Sequence, residues 1–324
     1  MRVAAQPEDF VVDEIPLYPP RGDGAHTFVR IEKRGLTTEQ AARFLARAAS
    51  VRPRDVGYAG RKDKVALARQ WLSVPGLDPQ RALDLEVPGL RVLEAARHPH
   101  KLRTGQLRGN RFELVVRDLE PGQVAVSAER LAALARAGMP NRFGGQRFGD
   151  GSAVERARAL LEGAPPPRDR RTARFWLSAL QARGFNEVLA ERPLPLDSLE
   201  TGDVAWIHAT GASFLVDDAV TDSSRAAAFE ISASGPIFGS RLLEPSGEPG
   251  ERERAVLASL GIPSSAELRA PRGIRLRGAR RPLRVRPEET SSEKSGDDAV
   301  RLAFRLPPGS YATVLLEELF GTLD

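Results

Sequence analysis

One carboxylate stands among three cations in the segment Gly60-Arg61-Lys62-Asp63-Lys64. An aspartate can act as a nucleophile or as a base, and neighbouring cations favour its ionised form. Taken alone, this pattern is more typical of a solvated ion pair in a loop. Asp63 is therefore the first candidate for chemistry, and its surroundings must decide between these two interpretations.

A second candidate lies in the segment PNRFGGQRFGDG, residues 140–151, which is rich in glycine, aromatic and amide residues. An amide such as Asn141 can pair with the Watson–Crick edge of a nucleobase, and an aromatic ring such as Phe143 can stack on its face. A structural turn around a buried phenylalanine is the other interpretation.

The residue types that hold most metals are scarce. The 324-residue chain has no cysteine and only four histidines, which excludes disulfides, thiolate nucleophiles and cysteine zinc sites. His98-Pro99-His100 resembles a ligand pair, but we interpret it as a surface element at the edge of a strand. We therefore expect no metal site.

The basic residues are clustered along the chain. The net charge is only +5, yet residues 269–286 hold eight arginines and no acid, and residues 91–117 hold seven basic residues and two acids. Clusters of this kind indicate a polyanionic partner. The candidates for phosphate contact, or for pairing with Asp63, are Arg61, Lys62, Lys64, Lys101, Arg147, Arg280 and Arg281.

The elements that must position these residues follow from hydrophobic periodicity. Asp63 falls on a loop between two predicted strands, one around Val56–Tyr58 and one at Trp71–Val74. A helix over 38–49 is predicted to begin with a capping box of Thr37 and Gln40. The other predicted strands are 8–15, 27–33, 112–116 and 302–306. The other predicted helices are 127–137 with Ser127 as its cap, one that starts at Ser152 with Glu155 completing a capping box, 172–191, and a last helix that Ser310 caps and that ends at Gly321.

The polar segment 287–298 is predicted to be a surface loop. The length favours two domains. The N-terminus lacks the apolar run of a signal peptide, and no stretch has the length of a membrane span. We expect a cytoplasmic protein, with no membrane and no protein partner.

Several segments, taken together and in order, resemble the TruD family of tRNA pseudouridine synthases. The resemblance depends most on PEDFVVDE (7–14), GYAGRKDKVALARQWLSV (57–74), PNRFGGQRFG (140–149) and FRLPPGSYAT (304–313). KLRTGQLRGNRFEL (101–114), RFWLSALQARGFNEVLAER (174–192) and SGPIFG (234–239) also resemble the family, so the match runs nearly end to end.

The resemblance implies an α+β fold in a V-shaped, two-domain molecule. One domain, residues 1–150 with 278–324, would be a pseudouridine-synthase catalytic domain with a mixed, largely antiparallel sheet. The other, residues 151–277, would be an inserted α/β domain special to the family.

The resemblance also implies roles for single residues. Asp63 matches the catalytic aspartate, Asn141 matches a substrate-binding asparagine, and Phe10 occupies the place of a substrate-contacting aromatic residue. Tyr311 stands where the family often has phenylalanine. Phe143 is added as a substrate-binding residue because its ring could stack on a base.

The implied reaction is the isomerisation of uridine, at position 13 in the D-arm of tRNA, to pseudouridine. This is an internal rearrangement without redox change, so no cofactor is expected. Two other classes remain: a metal-dependent nuclease that uses Asp63 and Lys64, and a non-catalytic RNA-binding module. Dependence on Mg²⁺ would support the nuclease, and tolerance of Asp63→Ala would support the module.

Overall fold

A computed structural model of the chain describes residues 2–3, 6–149, 151–264, 268 and 274–321. The strands are β1 (Arg2–Val3), β2 (Phe10–Pro16), β3 (His26–Lys33), β4 (Gly57–Tyr58), β5 (Leu67–Pro75), β6 (Leu90–His98), β7 (Leu107–Arg117), β8 (Met139–Pro140), β9 (Val204–Ile207), β10 (Ser213–Leu215), β11 (Ile231–Ile237), β12 (Ala279–Pro282), β13 (Arg284–Val285), β14 (Glu288–Lys294) and β15 (Val300–Leu306). The helices are α1 (Thr38–Ala48), α2 (Pro79–Leu83), α3 (Pro121–Ala137), α4 (Ala153–Leu161), α5 (Arg170–Ala190), α6 (Ala219–Ala227), α7 (Gly247–Ser259) and α8 (Ala312–Phe320).

The largest sheet has nine strands. Seven follow the order β14-β15-β7-β2-β5-β3-β6, while β1 pairs with β7 and β4 pairs with β5. Strands β2 and β5 are parallel, whereas β2–β7, β3–β5, β3–β6 and β15–β7 are antiparallel. The sheet is therefore mixed and largely antiparallel, and the predicted α+β class is confirmed.

Strand β3 lies inside this sheet, with β5 on one side and β6 on the other. Its Val29 and Ile31 pack in one hydrophobic core with Ala41 and Leu45 of α1. Helix α1 begins with the predicted capping box, in which Thr37 and Gln40 each accept a hydrogen bond from the other's backbone amide. The start of α1 is thus held in a fixed position beside β3.

Four local predictions are wrong. Ser152 precedes α4 without a side-chain capping hydrogen bond, so the predicted capping box with Glu155 does not form, and Tyr311 rather than Ser310 stands at the start of α8. Ser127 does not cap a helix, because α3 begins at Pro121 and the buried Ser127 hydroxyl donates to the Val124 carbonyl inside it. The segment 287–298 is not all loop, because Glu288–Lys294 forms β14 against β15. As the last strand of the sheet, β14 is mostly exposed, so its residues need not be apolar.

The chain divides into two compact units. The first comprises residues 1–135, 287–312 and 316–324 and contains the nine-stranded sheet. The second comprises residues 136–286 and 313–315 and contains a four-stranded sheet in the order β10-β9-β11-β12, together with the pair β13-β8. The predicted domains, 1–150 with 278–324 and 151–277, stay a prediction, because compactness does not reveal which segment was inserted.

Within the described ranges, no helix combines the length and the apolar character needed to cross a membrane.

Candidate active site

Asp63 lies on the loop between β4 and β5, as predicted, and is half-buried. Its backbone carbonyl accepts a hydrogen bond of 2.6 Å from the Lys33 ammonium. One carboxylate oxygen, Oδ1, accepts from the Val65 amide at 3.3 Å. The backbone at the candidate carboxylate is therefore anchored to the end of β3.

Lys33 is fully buried, which is rare for a lysine. Burial lowers the pKa of Lys33 to about 8, and the charge of Asp63 partly opposes this effect. An ammonium group in such surroundings stays charged at neutral pH, and loses its charge in mildly basic solution. Lys33 was not among the candidates from the sequence, since the final residue of an alternating strand gives no sign of burial.

Lys62 precedes Asp63 and points into the protein. Its ammonium lies 2.7 Å from Glu14 Oε2, and the two side chains are only 6% and 1% exposed. Lys62 also donates to Asn110 Oδ1 at 2.6 Å, while Glu14 Oε1 accepts from the Trp71 amide at 3.2 Å. This ion pair ties the loop to β2, β5 and β7, and it does not favour the predicted phosphate contact of Lys62.

Helix α1 holds the same loop from another side. The Lys62 backbone amide donates to Thr38 Oγ1 at 2.9 Å, and that hydroxyl donates to the buried Gln70 Oε1 at 2.9 Å. The loop that carries Asp63 is thus anchored through Lys33, Glu14, Asn110 and Thr38. Only Lys62 among the anchoring residues was a candidate from the sequence, although Glu14 lies in the PEDFVVDE segment.

Phe10 begins β2 and is half-buried. Its ring stacks on Phe112 with a centroid distance of 6.5 Å, and Phe112 stacks on Phe304 at 5.3 Å. Tyr311 immediately precedes α8 and is also half-buried. Both predicted aromatic residues therefore belong to the unit that carries Asp63, and each is partly accessible.

The remaining predicted cations of this unit differ in their surroundings. Arg61 is exposed and lies 2.6 Å from Glu39. Lys64 is exposed. Lys101 donates from Nζ to the Arg54 carbonyl at 2.8 Å. Arg61 and Lys64 flank Lys62 and Asp63 and present their charges on the surface, where a phosphate could approach.

Asn141 lies in the second unit and is only 3% exposed. Its Nδ2 donates to the Pro282 carbonyl at 2.9 Å, and its Oδ1 accepts from Arg281 at 2.5 Å. The Asn141 backbone amide also donates to the Leu283 carbonyl at 2.8 Å. Both ends of the carboxamide thus have partners within the protein, and the substrate-binding role of Asn141 stays a prediction.

Phe143 is held by two side chains. The Arg281 guanidinium lies 4.2 Å from its ring centroid. Asn186 of α5 brackets the Phe143 backbone, accepting from the amide at 2.8 Å and donating to the carbonyl at 3.0 Å. Arg147 lies 5.7 Å from the same ring. Asn186 was missed, although it belongs to the 174–192 segment that carries the family resemblance.

Part of the arginine-rich stretch 269–286 is used inside the protein, while Arg275 and Arg277 are exposed. Arg280 is buried and pairs with Glu253 at 2.9 Å, which does not favour its predicted contact with phosphate. Arg284 is buried and donates to Ser232 and to the carbonyls of Ala137 and Ala226. Residues 269 and 272 lie outside the described residues. Counting charges could not reveal these internal roles.

Among the described residues, no group of three or more histidine, aspartate or glutamate side chains could hold a metal ion. The expectation of a reaction without a metal or cofactor remains a prediction.

Comparisons with known proteins cover almost the whole chain. The family model of tRNA pseudouridine synthase D (TruD) matches residues 1–165 and 161–319. The relatives described next all carry the name tRNA pseudouridine synthase D. The protein of Anaeromyxobacter dehalogenans strain 2CP-C is 46% identical, and the alignment covers 97% of this chain and 91% of the relative. That of Anaeromyxobacter sp. strain Fw109-5 is 45% identical, with 97% and 90% covered.

The protein of Geobacter metallireducens is 40% identical, and the alignment covers 96% of this chain and 93% of the relative. A crystal structure assigned to tRNA pseudouridine synthase D of Methanosarcina mazei matches with a TM-score of 0.71 at 22% identity, over 99% of this chain and 93% of that chain. The structural match supports the fold, and the family model with the sequence relatives establishes descent: the chain belongs to the tRNA pseudouridine synthase D (TruD) family.

Proposed function

We propose that the protein isomerises a uridine in tRNA to pseudouridine, at position 13 of the D-arm, with Asp63 as the catalytic carboxylate. The reaction breaks the N1–C1′ bond, turns the base and joins C5 to C1′. C5 gives up its proton and N1 takes one up, so the composition of the substrate is unchanged. The carboxylate can serve by attacking the sugar, by attacking the base or by removing a ribose proton, and each route requires it ionised and accurately placed.

The observation that carries this proposal is the anchoring of the Asp63 loop. A solvated ion pair on a surface loop would not need a buried lysine on its carbonyl and a buried ion pair at the preceding residue. Such supports are typical of preorganised catalytic groups.

Substrate contacts are proposed from the resemblance, supported by local geometry. Phe10 and Tyr311 are partly exposed rings that can stack on an extruded base. Asn141 and Phe143 are proposed as substrate-binding residues from the resemblance, and their internal contacts hold the 140–149 loop in place. Arg61, Lys64 and Arg147 are proposed as phosphate contacts.

Substitution of Asp63 tests the proposal. We expect Asp63→Asn to abolish pseudouridine formation in tRNA, detected by chemical labelling of pseudouridine, while tRNA affinity changes by no more than a few-fold, since phosphate contacts dominate affinity. Asp55→Asn is the matched control, because Asp55 forms an ion pair with Arg52 on a neighbouring turn. Near wild-type product formation by Asp63→Asn would refute the assignment.

A second tRNA substrate tests which uridine is modified. A tRNA transcript with cytidine in place of uridine 13 should gain no labelled pseudouridine, whereas the unchanged transcript should. Equal labelling of both transcripts would show that another uridine is the target.

A further inference from the structure

A cleft of about 730 Å³ opens on the first unit, at the opposite end of β3 from the Asp63 loop. We name it the histidine cleft. Along β3, His26 and Lys33 are seven residues apart, which corresponds to roughly 23 Å of strand. The histidine cleft is lined by Tyr18, Pro19, Pro20, Arg21, His26, His98, Pro99, His100, Lys101, Arg103 and Gln106.

The lining of the histidine cleft is cationic. It brings together Arg21, Lys101 and Arg103 with three of the four histidines of the chain, and it contains no carboxylate. His26 and His98 are directly opposite each other on β3 and β6. In the part of the chain that the structure describes, the Nδ1 atoms of both rings are buried and have no hydrogen-bond partner.

The walls of the cleft are closely packed. His98 is only 4% exposed, so the interpretation of His98-Pro99-His100 as a surface element is wrong for this residue. Its ring stacks on Tyr18 with centroids 5.2 Å apart and contacts Phe28 at 4.2 Å. The loop before β3 is fixed on the other wall at Gly24, where a Cβ would lie 2.5 Å from the Pro99 backbone. Such a site does not need to be ordered when a ligand binds, which favours affinity.

We propose that the histidine cleft binds a phosphate-bearing nucleotide of the RNA substrate, at a second contact remote from the reacting uridine. This inference rests on the proposed function, because it takes the substrate to be RNA. The volume suits a nucleotide rather than a lone phosphate. Arg21 and Arg103 are exposed cations that can contact the phosphate, while Tyr18 and the prolines offer faces for the sugar and base.

The histidines make this contact dependent on pH. Burial lowers the pKa of His26, with Lys101 and His100 adding to the effect. Burial also lowers the pKa of His98, assisted by Arg21 and His100 and opposed by Asp23. A bound phosphate favours the charged form of each ring. Binding should therefore take up protons, and affinity should rise as the pH falls.

The test is a binding titration of a labelled tRNA transcript at several salt concentrations. Arg21→Ala combined with Arg103→Ala should lower the slope of log affinity against log salt by roughly two units. Arg43→Ala combined with Arg81→Ala removes the same charge from exposed helix positions outside the cleft. This control should lower the slope of log affinity against log salt by less than the Arg21/Arg103 variant does. Equal slopes for the two double variants would overturn the proposal.

Measurement of tRNA affinity at different pH values gives an independent test. Wild-type affinity should rise severalfold between about pH 7 and about pH 5.5, the range in which histidines gain charge. Burial lowers the pKa of the fourth histidine, His208, to about 4, so it stays neutral in this range. His26→Gln should reduce the rise, because burial lowers the pKa of His26 and a bound phosphate opposes this effect, and an unchanged rise would count against the cleft.

Binding of uridine 5′-monophosphate tests whether the cleft is a site for a free nucleotide or for a nucleotide of RNA. Stabilisation of the wild-type protein by this nucleotide, lost in the Arg21/Arg103 variant while the salt slope for tRNA is unchanged, would make the cleft a small-molecule site and overturn the RNA assignment. A wild-type protein that does not bind tRNA would overturn both this proposal and the proposed function. Unequal slopes without pseudouridine formation would overturn the proposed function alone and support the cleft.

Discussion

At the scale of single residues, the candidate site depends on two lysines that differ in how their charge is balanced. Lys62 faces a carboxylate at 2.7 Å, whereas the ammonium of Lys33 donates to a backbone carbonyl. This difference explains why the pKa of Lys33 falls to about 8: the burial of its charge is only partly offset by Asp63.

The first prediction concerns pH. Lys33 loses its proton as the pH rises through about 8, and the Asp63 loop then loses a charged donor. We therefore expect the single-turnover rate to fall above about pH 8 in the wild type. Lys33→Arg should move this limb to higher pH, because a guanidinium stays protonated. If the rate of a folded Lys33→Arg protein falls at the same pH as that of the wild type, another group is responsible for the fall.

The lowered pKa of Lys33 also affects stability. Whereas the rate is expected to fall as the pH rises, the contribution to stability is expected to increase. Between the folded pKa of about 8 and the unfolded value near 10.4, only the unfolded chain keeps the proton. The contribution of Lys33 to the free energy of unfolding therefore rises with pH across this window, and its burial is unfavourable below it. Stability relative to Lys33→Met should increase from about pH 8 to about pH 10.

The second prediction compares two ion pairs. Lys62→Met leaves the buried Glu14 carboxylate without its cation, which should lower the free energy of unfolding by about 3–5 kcal/mol. Arg34→Met is the control, because Arg34 and Glu8 also form an ion pair but are 58% and 50% exposed, and its loss should cost less than about 1 kcal/mol. Urea denaturation measures both, and equal losses would show that the Lys62 pair is solvated.

At the scale of elements, the start of α1 combines a structural role and a functional role in adjacent residues. The Thr37 hydroxyl caps the helix, whereas the Thr38 hydroxyl accepts from the backbone of Lys62, next to Asp63. A helix terminus thereby positions a loop that belongs to a different part of the sequence.

The third prediction separates these roles. Thr37→Ala removes the cap and should lower the free energy of unfolding by about 1 kcal/mol with little change in turnover. Thr38→Val keeps the shape but removes the hydroxyl, so the Asp63 loop shifts and turnover should fall by about tenfold or more. Single-turnover kinetics with urea denaturation distinguishes the two, and equal turnover of both variants would refute the positioning role of Thr38.

At the scale of the whole molecule, charge and chemistry have to be considered separately. The net charge of +5 suits a polyanionic partner, but several arginines of the basic stretch are structural. Arg280 and Arg284 bind carboxylate, hydroxyl and carbonyl groups in the second unit. Among the described residues, the cations with solvent access are the ones available for the proposed contact with RNA.

The fourth prediction concerns metals. Because the proposed isomerisation transfers no electrons and adds no water, pseudouridine formation should continue in excess chelator at a monovalent salt concentration that keeps the tRNA folded. The control is the melting profile of the tRNA in the same buffer. Activity that disappears in chelator and returns with a divalent ion would favour the nuclease-like alternative or an unrecognised metal site.

The sequence by itself determined the family, the α+β class, the position of Asp63 between two strands and the cap of α1. These features depend on local residue patterns or on the order of motifs, and both can be recognised in the sequence. It could not identify Lys33, Thr38 or Asn186 as supports, or separate the buried Arg280 from exposed arginines. Those roles depend on which groups from distant segments become neighbours and lose water, and only the tertiary structure decides that.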